Sequence, residues 1–93
     1  MEPKVGTVVL NKSGHDKGFF LVVKNDSSFV YIANGKSRLL SSPKKKNPKH
    51  LTLTKAILDM DSITTDRKLR AALWPYNYGK AGEQIVEERD SLG

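Results

Sequence analysis

The chain has 93 residues, enough for one small domain and too few for two independent cores. It has no cysteine, which excludes disulfides, thiolate metal sites and cysteine nucleophiles. Sixteen Lys and Arg against ten Asp and Glu give a formal charge of +6, a balance that suits a polyanionic partner.

Val5 to Leu10 is β-branched and apolar around Gly6 and Thr7, and predicts a first strand. The loop after it, Asn11-Lys-Ser-Gly-His-Asp-Lys-Gly18, places Gly14 and Gly18 four residues apart around a charged His-Asp-Lys. Glycine serves where the backbone needs positive φ or must approach another segment closely. The pair therefore presents a polar, cationic loop tip beside exposed amides. Phe19 to Lys24 is a near-continuous apolar run, short enough for a buried strand. Its adjacent phenylalanines point to opposite sides, one into the core and one toward a covering element. Asn25-Asp-Ser-Ser28 is a turn cluster.

Phe29 to Ile32 predicts a third strand, with Phe29 and Tyr31 on one face and assigned to the core. Asn34-Gly35 signals a type I′ hairpin leading into a fourth strand, Ser37 to Leu40. Pro43 and Pro48 exclude a central strand through Lys44-Lys-Lys-Asn-Pro-Lys-His50 and hold that run as a semi-extended basic loop. Leu51 to Thr54 supplies a short fifth strand. Thr64 or Thr65 can cap a helix beginning at Asp66, whose carboxylate suits the helix dipole. Leu69, Ala72 and Leu73 make its apolar face, and Pro75 ends it near Trp74. Trp74 is read as stapling helix to sheet, while Tyr76 and Tyr78 suit packing or base stacking equally. Glu83 to Leu92 predicts either a last polar helical turn or a disordered tail.

Together these elements predict a mostly β fold, a small and partly open SH3-like barrel of about five strands with a C-terminal helix packed on it. Residues 1–79 form the domain, and 80–93 a polar, acidic, flexible tail. No apolar run is long enough to span a bilayer and no signal pattern opens the chain, which predicts a soluble cytoplasmic protein.

Charge is distributed unevenly. No acid falls between Asp26 and Asp59, while Lys36, Arg38, Lys44, Lys45, Lys46, Lys49 and Lys55 do. From Asp59 onward seven acids face five bases. A one-sided basic stretch among strand signals is the footprint of a nucleic-acid binder; a solvated lysine-rich loop is the bland alternative. Lysine, a flexible point charge, suits phosphate contact better than base-edge reading.

The two apolar runs around Gly14-His-Asp-Lys-Gly18, the Asn34-Gly-Lys segment and the Pro-Lys-Lys-Lys-Asn-Pro-Lys-His run resemble the KOW motif of ribosomal proteins and elongation factors. The likeness covers roughly residues 4 to 74 and extends to small KOW-containing large-subunit ribosomal proteins of archaea and eukaryotes. It implies an RNA-binding protein of translation or ribonucleoprotein particles, with structured RNA, ribosomal RNA or the ribosome as partner. Lys17, Lys36, Arg38, Lys44, Lys45, Lys46, Lys49 and His50 would contact phosphates, Gly14 and Gly18 would shape the loop, and Lys12 and His15 would add to its tip. His15 stands where arginine is common in relatives, and an unperturbed histidine is largely neutral at pH 7.

The expected free state is a monomer without cofactor, metal, membrane or small-molecule substrate. Ser13, His15 and Asp16 fall in one loop tip and cannot easily form a hydrolytic triad, which needs convergence around a buried carboxylate. His15 and His50 lack further metal ligands. An enzyme is therefore not expected. The rival reading is an SH3-like protein-interaction module of a transcription or translation complex.

Overall fold

The computed structural model describes residues 3–12, 14 and 16–81. Five strands form one antiparallel sheet: β1 (Thr7–Asn11), β2 (Gly18–Asn25), β3 (Val30–Ala33), β4 (Lys44–Lys46) and β5 (Leu51–Ile57). One helix, α1 (Asp66–Asn77), follows, and 3-10 turns lie at Pro48–His50 and Met60–Ser62. The described residues are thus mostly β, with one helix, α1, after the sheet. The predicted tail helix or disorder at 83–92 lies outside the described residues.

The sheet runs in the order β4-β3-β2-β1-β5, so β4 and β5 are its two edges. Only Asn47 and the Pro48–His50 turn connect them. Laid flat, five strands would hold their outer members about 19 Å apart, at about 4.8 Å per step. A 3-10 turn rises only about 2 Å per residue. The sheet must therefore curl until its edges approach, although β4 and β5 are not hydrogen-bonded neighbours. Two register irregularities assist: an extra residue on β2 between Val22 and Lys24, and extra residues on β5 between Leu53 and Ile57, opposite Thr7 to Val9 of β1. Extra residues on one strand bend and twist it locally. At the second, the Thr54 hydroxyl donates to the Val8 carbonyl, satisfying an acceptor where the ladder shifts.

Alternation along the strands divides the core into two layers. Val9, Phe20, Val22, Val30, Ile32 and Leu51 fill the concave side. Val8, Phe19, Leu21 and Ala33 face outward and are covered by Ile63, Leu69 and Leu73. Phe20 and Phe19 thus take the opposite sides expected of adjacent strand residues, with Phe19 under the helix.

The helix starts where the sequence indicates. Thr65 is the N-cap and its hydroxyl accepts from Lys68 N–H. Leu69 and Leu73 are buried and Ala72 packs beside them. Pro75 does not end it near Trp74, however; α1 continues to Asn77. Pro75 cannot donate to the Ala71 carbonyl, but Ala71 and Pro75 are exposed, so water can take that place. Tyr78 and Gly79 N–H donate to the Trp74 and Pro75 carbonyls and close the last turn. The Asn77 side chain then clamps the helix end to β2, accepting from Phe19 N–H (2.7 Å) and donating to Phe19 O (3.3 Å).

Four further expectations are corrected. Ser37 to Leu40 is not a strand; Asn34 and Gly35 N–H both donate to Arg38 O, closing a compact loop instead of a hairpin. Gly35 has positive φ (76°) and Asn34 does not, so the pair fails the type I′ requirement. A side chain at Gly35 would collide with the Asp66 carbonyl, and the Asp66 carboxylate accepts from Leu40 N–H. The Asn-Gly pair therefore seats a loop on the helix N-terminus. The lysine run is the second correction: Lys44–Lys46 is an edge strand paired with β3, not a loop. The prolines bar only a central position, and they flank this one. Third, Val30 and Ile32 enter the core while Phe29 and Tyr31 face out and stay half-exposed, reversing the assigned parity. Fourth, Trp74 is 60% exposed and staples nothing.

Candidate nucleic-acid interface

Asp16 ties three segments together. Its Oδ2 accepts from Arg38 Nε (3.0 Å) and Nη2 (2.8 Å), and from Lys44 Nζ (3.3 Å). Hydrogen bonding from Arg38 is the main reason its carboxyl lies below the usual range, with Lys44 adding to it and burial opposing. Asn11 donates to the Asp16 backbone carbonyl and holds the loop against β1. Arg38 and Lys44 are thus brought together as expected of one surface, but each is already paired with a carboxylate.

The remaining candidates lie more openly. Lys12, Gly14 and Lys17 are exposed in the β1–β2 loop, and Lys36 is exposed in the β3–β4 loop. Lys49 and His50 are exposed on the 3-10 turn. His15 lies outside the described residues. Gly18 is not at the loop tip: its backbone, at φ 122°, lies against the helix end, and a Cβ there would come within 2.9 Å of Asn77 Oδ1. This glycine shapes the loop by anchoring its base.

The lysine run is split by strand alternation. Lys45 stands opposite Tyr31 on the outer face, while Lys44 and Lys46 stand opposite Ile32 and Val30 at the rim of the concave side. Lys45 Nζ lies 4.4 Å from the centre of the Phe29 ring, and Lys24 Nζ lies 5.3 Å from that of Tyr31. Tyr31 also donates to Asp26 Oδ2 (3.2 Å). Desolvation, and then this carboxylate, push the Tyr31 hydroxyl up, whereas Asp26 is held down chiefly by Phe29 N–H. Two rings with two lysines over them make a surface of flat faces and cations on the part of the outer face beyond Ala33.

Sequence reasoning missed that surface because Phe29-Val-Tyr-Ile offers two apolar faces of equal strength. The Tyr31 hydroxyl and the neighbouring Asp26 were the available signals. It also missed Arg67 and Arg70, which join Lys36, Trp74 and Tyr78 around a cleft between the helix and the β3–β4 loop. Among the described residues, no group of three or more His, Asp or Glu side chains could hold a metal. No described helix is long and apolar enough to cross a membrane. The chain matches no model of a known protein family and no curated protein.

Proposed function

We propose that the protein binds structured RNA through its basic surface, as an SH3-like barrel of the KOW type, with ribosomal RNA or the ribosome as partner. The strand order, the 3-10 connection between the edge strands and the filled concave side support the barrel reading. The observation that carries the function is the excess of cations, fifteen Lys and Arg against five Asp among the described residues. Asp16 is engaged by Arg38 and Lys44, Asp26 and Asp59 by turn amides, and Asp66 by Leu40. Amide contacts leave those carboxylates charged, but they are outnumbered, and Lys12, Lys17, Lys36, Lys45 and Lys49 stand exposed without an ion pair among the described residues. The surface field is therefore positive, as phosphate binding requires. Aromatic faces under Lys24 and Lys45 add the stacking platforms that RNA readers combine with cations.

Purification of the tagged protein from cell extract tests this reading. Ribosomal RNA should accompany it at low salt and be lost as salt rises. A protein partner retained after nuclease treatment, with no RNA, would favour the interaction-module reading instead.

A further inference from the structure

We infer that the cleft between α1 and the β3–β4 loop is a site for an unpaired nucleotide, its base stacked on Trp74 and Tyr78 and its phosphate held by Lys36, Arg67 and Arg70. This inference rests on the RNA-binding reading and gives it a second, chemically distinct contact. Arg67, Arg70, Trp74 and Tyr78 follow one another at three- and four-residue steps, so they form a stripe along one side of the helix. Trp74 and Tyr78 are 60% and 61% exposed, with ring centroids 4.4 Å apart and planes inclined at 42°. A small domain that leaves two large rings in water has apolar area available for a partner.

The cleft beside them measures about 880 Å³ and has Leu39, Leu73 and Pro75 among its walls. That lies within the roughly 300–1,000 Å³ of sites that enclose one organic ligand. Among the described residues no acidic side chain lines it. An apolar wall bearing two exposed rings and three cations matches a ligand with a flat face and a negative charge. A nucleotide has both, whereas a peptide would have to be acidic and aromatic or proline-rich together. Arg70 Nη1 donates to Gly35 O (2.6 Å), which fixes the guanidinium at the cleft and leaves its other donors for phosphate.

The site also has little means of reading base edges. The Asn34 carboxamide serves Lys36, Ser37 and Arg38 within its own loop, and that of Asn77 serves Phe19. Stacking on an aromatic face tolerates any base, because every base has a π face. The cleft therefore selects unpaired over paired nucleotides and discriminates weakly among bases.

Trp74 is the only tryptophan, so its fluorescence reports on this cleft alone. Short single-stranded oligouridylate and oligoadenylate, a blunt RNA duplex and heparin are titrated, with anisotropy of a labelled strand following binding. Both single strands should quench Trp74 in step with binding, while duplex and heparin bind without comparable quenching. Trp74→Ala, at an exposed position, should keep its circular dichroism and lose about 5- to 150-fold in single-strand affinity, the equivalent of one stacked base, with heparin affinity unchanged. Single strands that bind without quenching, and equally well to Trp74→Ala, would overturn the cleft and leave RNA binding intact. Absence of binding to any RNA would overturn both. Quenching by an acidic proline-rich peptide and not by RNA would make the cleft a protein groove and also overturn the inference.

Discussion

Asp16 illustrates how one side chain can serve stability and, under the proposed function, oppose RNA binding. It holds Arg38 and Lys44 in place, yet it sets a negative charge among residues expected to meet phosphate. Asp16→Asn should cost about 1 kcal/mol, since partly exposed ion pairs contribute roughly 0.2–1 kcal/mol each, while raising RNA affinity at low salt. The two effects have opposite signs, so melting and anisotropy on the same variant check both; unchanged affinity would place Asp16 outside the interface, and a loss would mean that positioning Arg38 and Lys44 outweighs its charge. The carboxyl is held below its ordinary range in the fold, so its contribution is complete above the unfolded value of about 3.9 and fades as pH falls through the lower, folded one. The gap in melting temperature between wild type and Asp16→Asn should therefore be flat near neutrality and close below about pH 4. Gly18 is the other informative residue. Its positive φ and the neighbouring Asn77 Oδ1 each resist a side chain. Gly18→Val should cost about 1–3 kcal/mol from backbone strain alone, and more from the contact. In a double-mutant cycle Gly18→Ala should be less costly in an Asn77→Ala background; strict additivity would mean the two residues do not touch.

At the scale of elements, strands set by clear periodicity and turn residues were legible, and those set by distant partners were not. β1, β2, β3 and the start of β5 follow from runs of Val, Leu, Ile and Phe, and the helix from Thr65, Leu69 and Leu73. The Lys44–Lys46 strand was not legible, because three lysines carry no apolar alternation and are held only by pairing with β3. β5 likewise runs past Thr54 to Ile57 because β1 is there to pair with it. Arg38 and Lys44 were legible as candidates from charge alone, but their shared carboxylate arises from residues 22 and 28 positions apart. Sequence alone treats Lys44, Lys45 and Lys46 as equivalent; in the fold, Lys44 is paired with Asp16, Lys45 covers Phe29, and Lys46 sits at the rim. The helix is held mainly by Leu69 and Leu73 against Phe19 and Leu21. Either leucine cut to alanine should lower stability by about 2–5 kcal/mol, measured by denaturant unfolding. A loss below 1 kcal/mol would mean that the sheet stands without its helix.

For the whole molecule, stability and the proposed RNA binding should be largely separable. Apolar layers on both sides of a curled sheet hold the fold, and exposed lysines outside caps and ion pairs contribute little to it. Lys17, Lys36 and Lys49 replaced together by alanine should leave unfolding free energy within about 0.5 kcal/mol per site and still weaken RNA binding. Equal damage to both would mean these side chains are packed into the fold. The central claim, that RNA is held by its phosphates, is tested most directly by the salt dependence of affinity for a ribosomal RNA fragment. If about five phosphates are neutralised, log affinity should fall against log salt with a slope of roughly −3.5 to −4.5. A slope near zero would contradict the account.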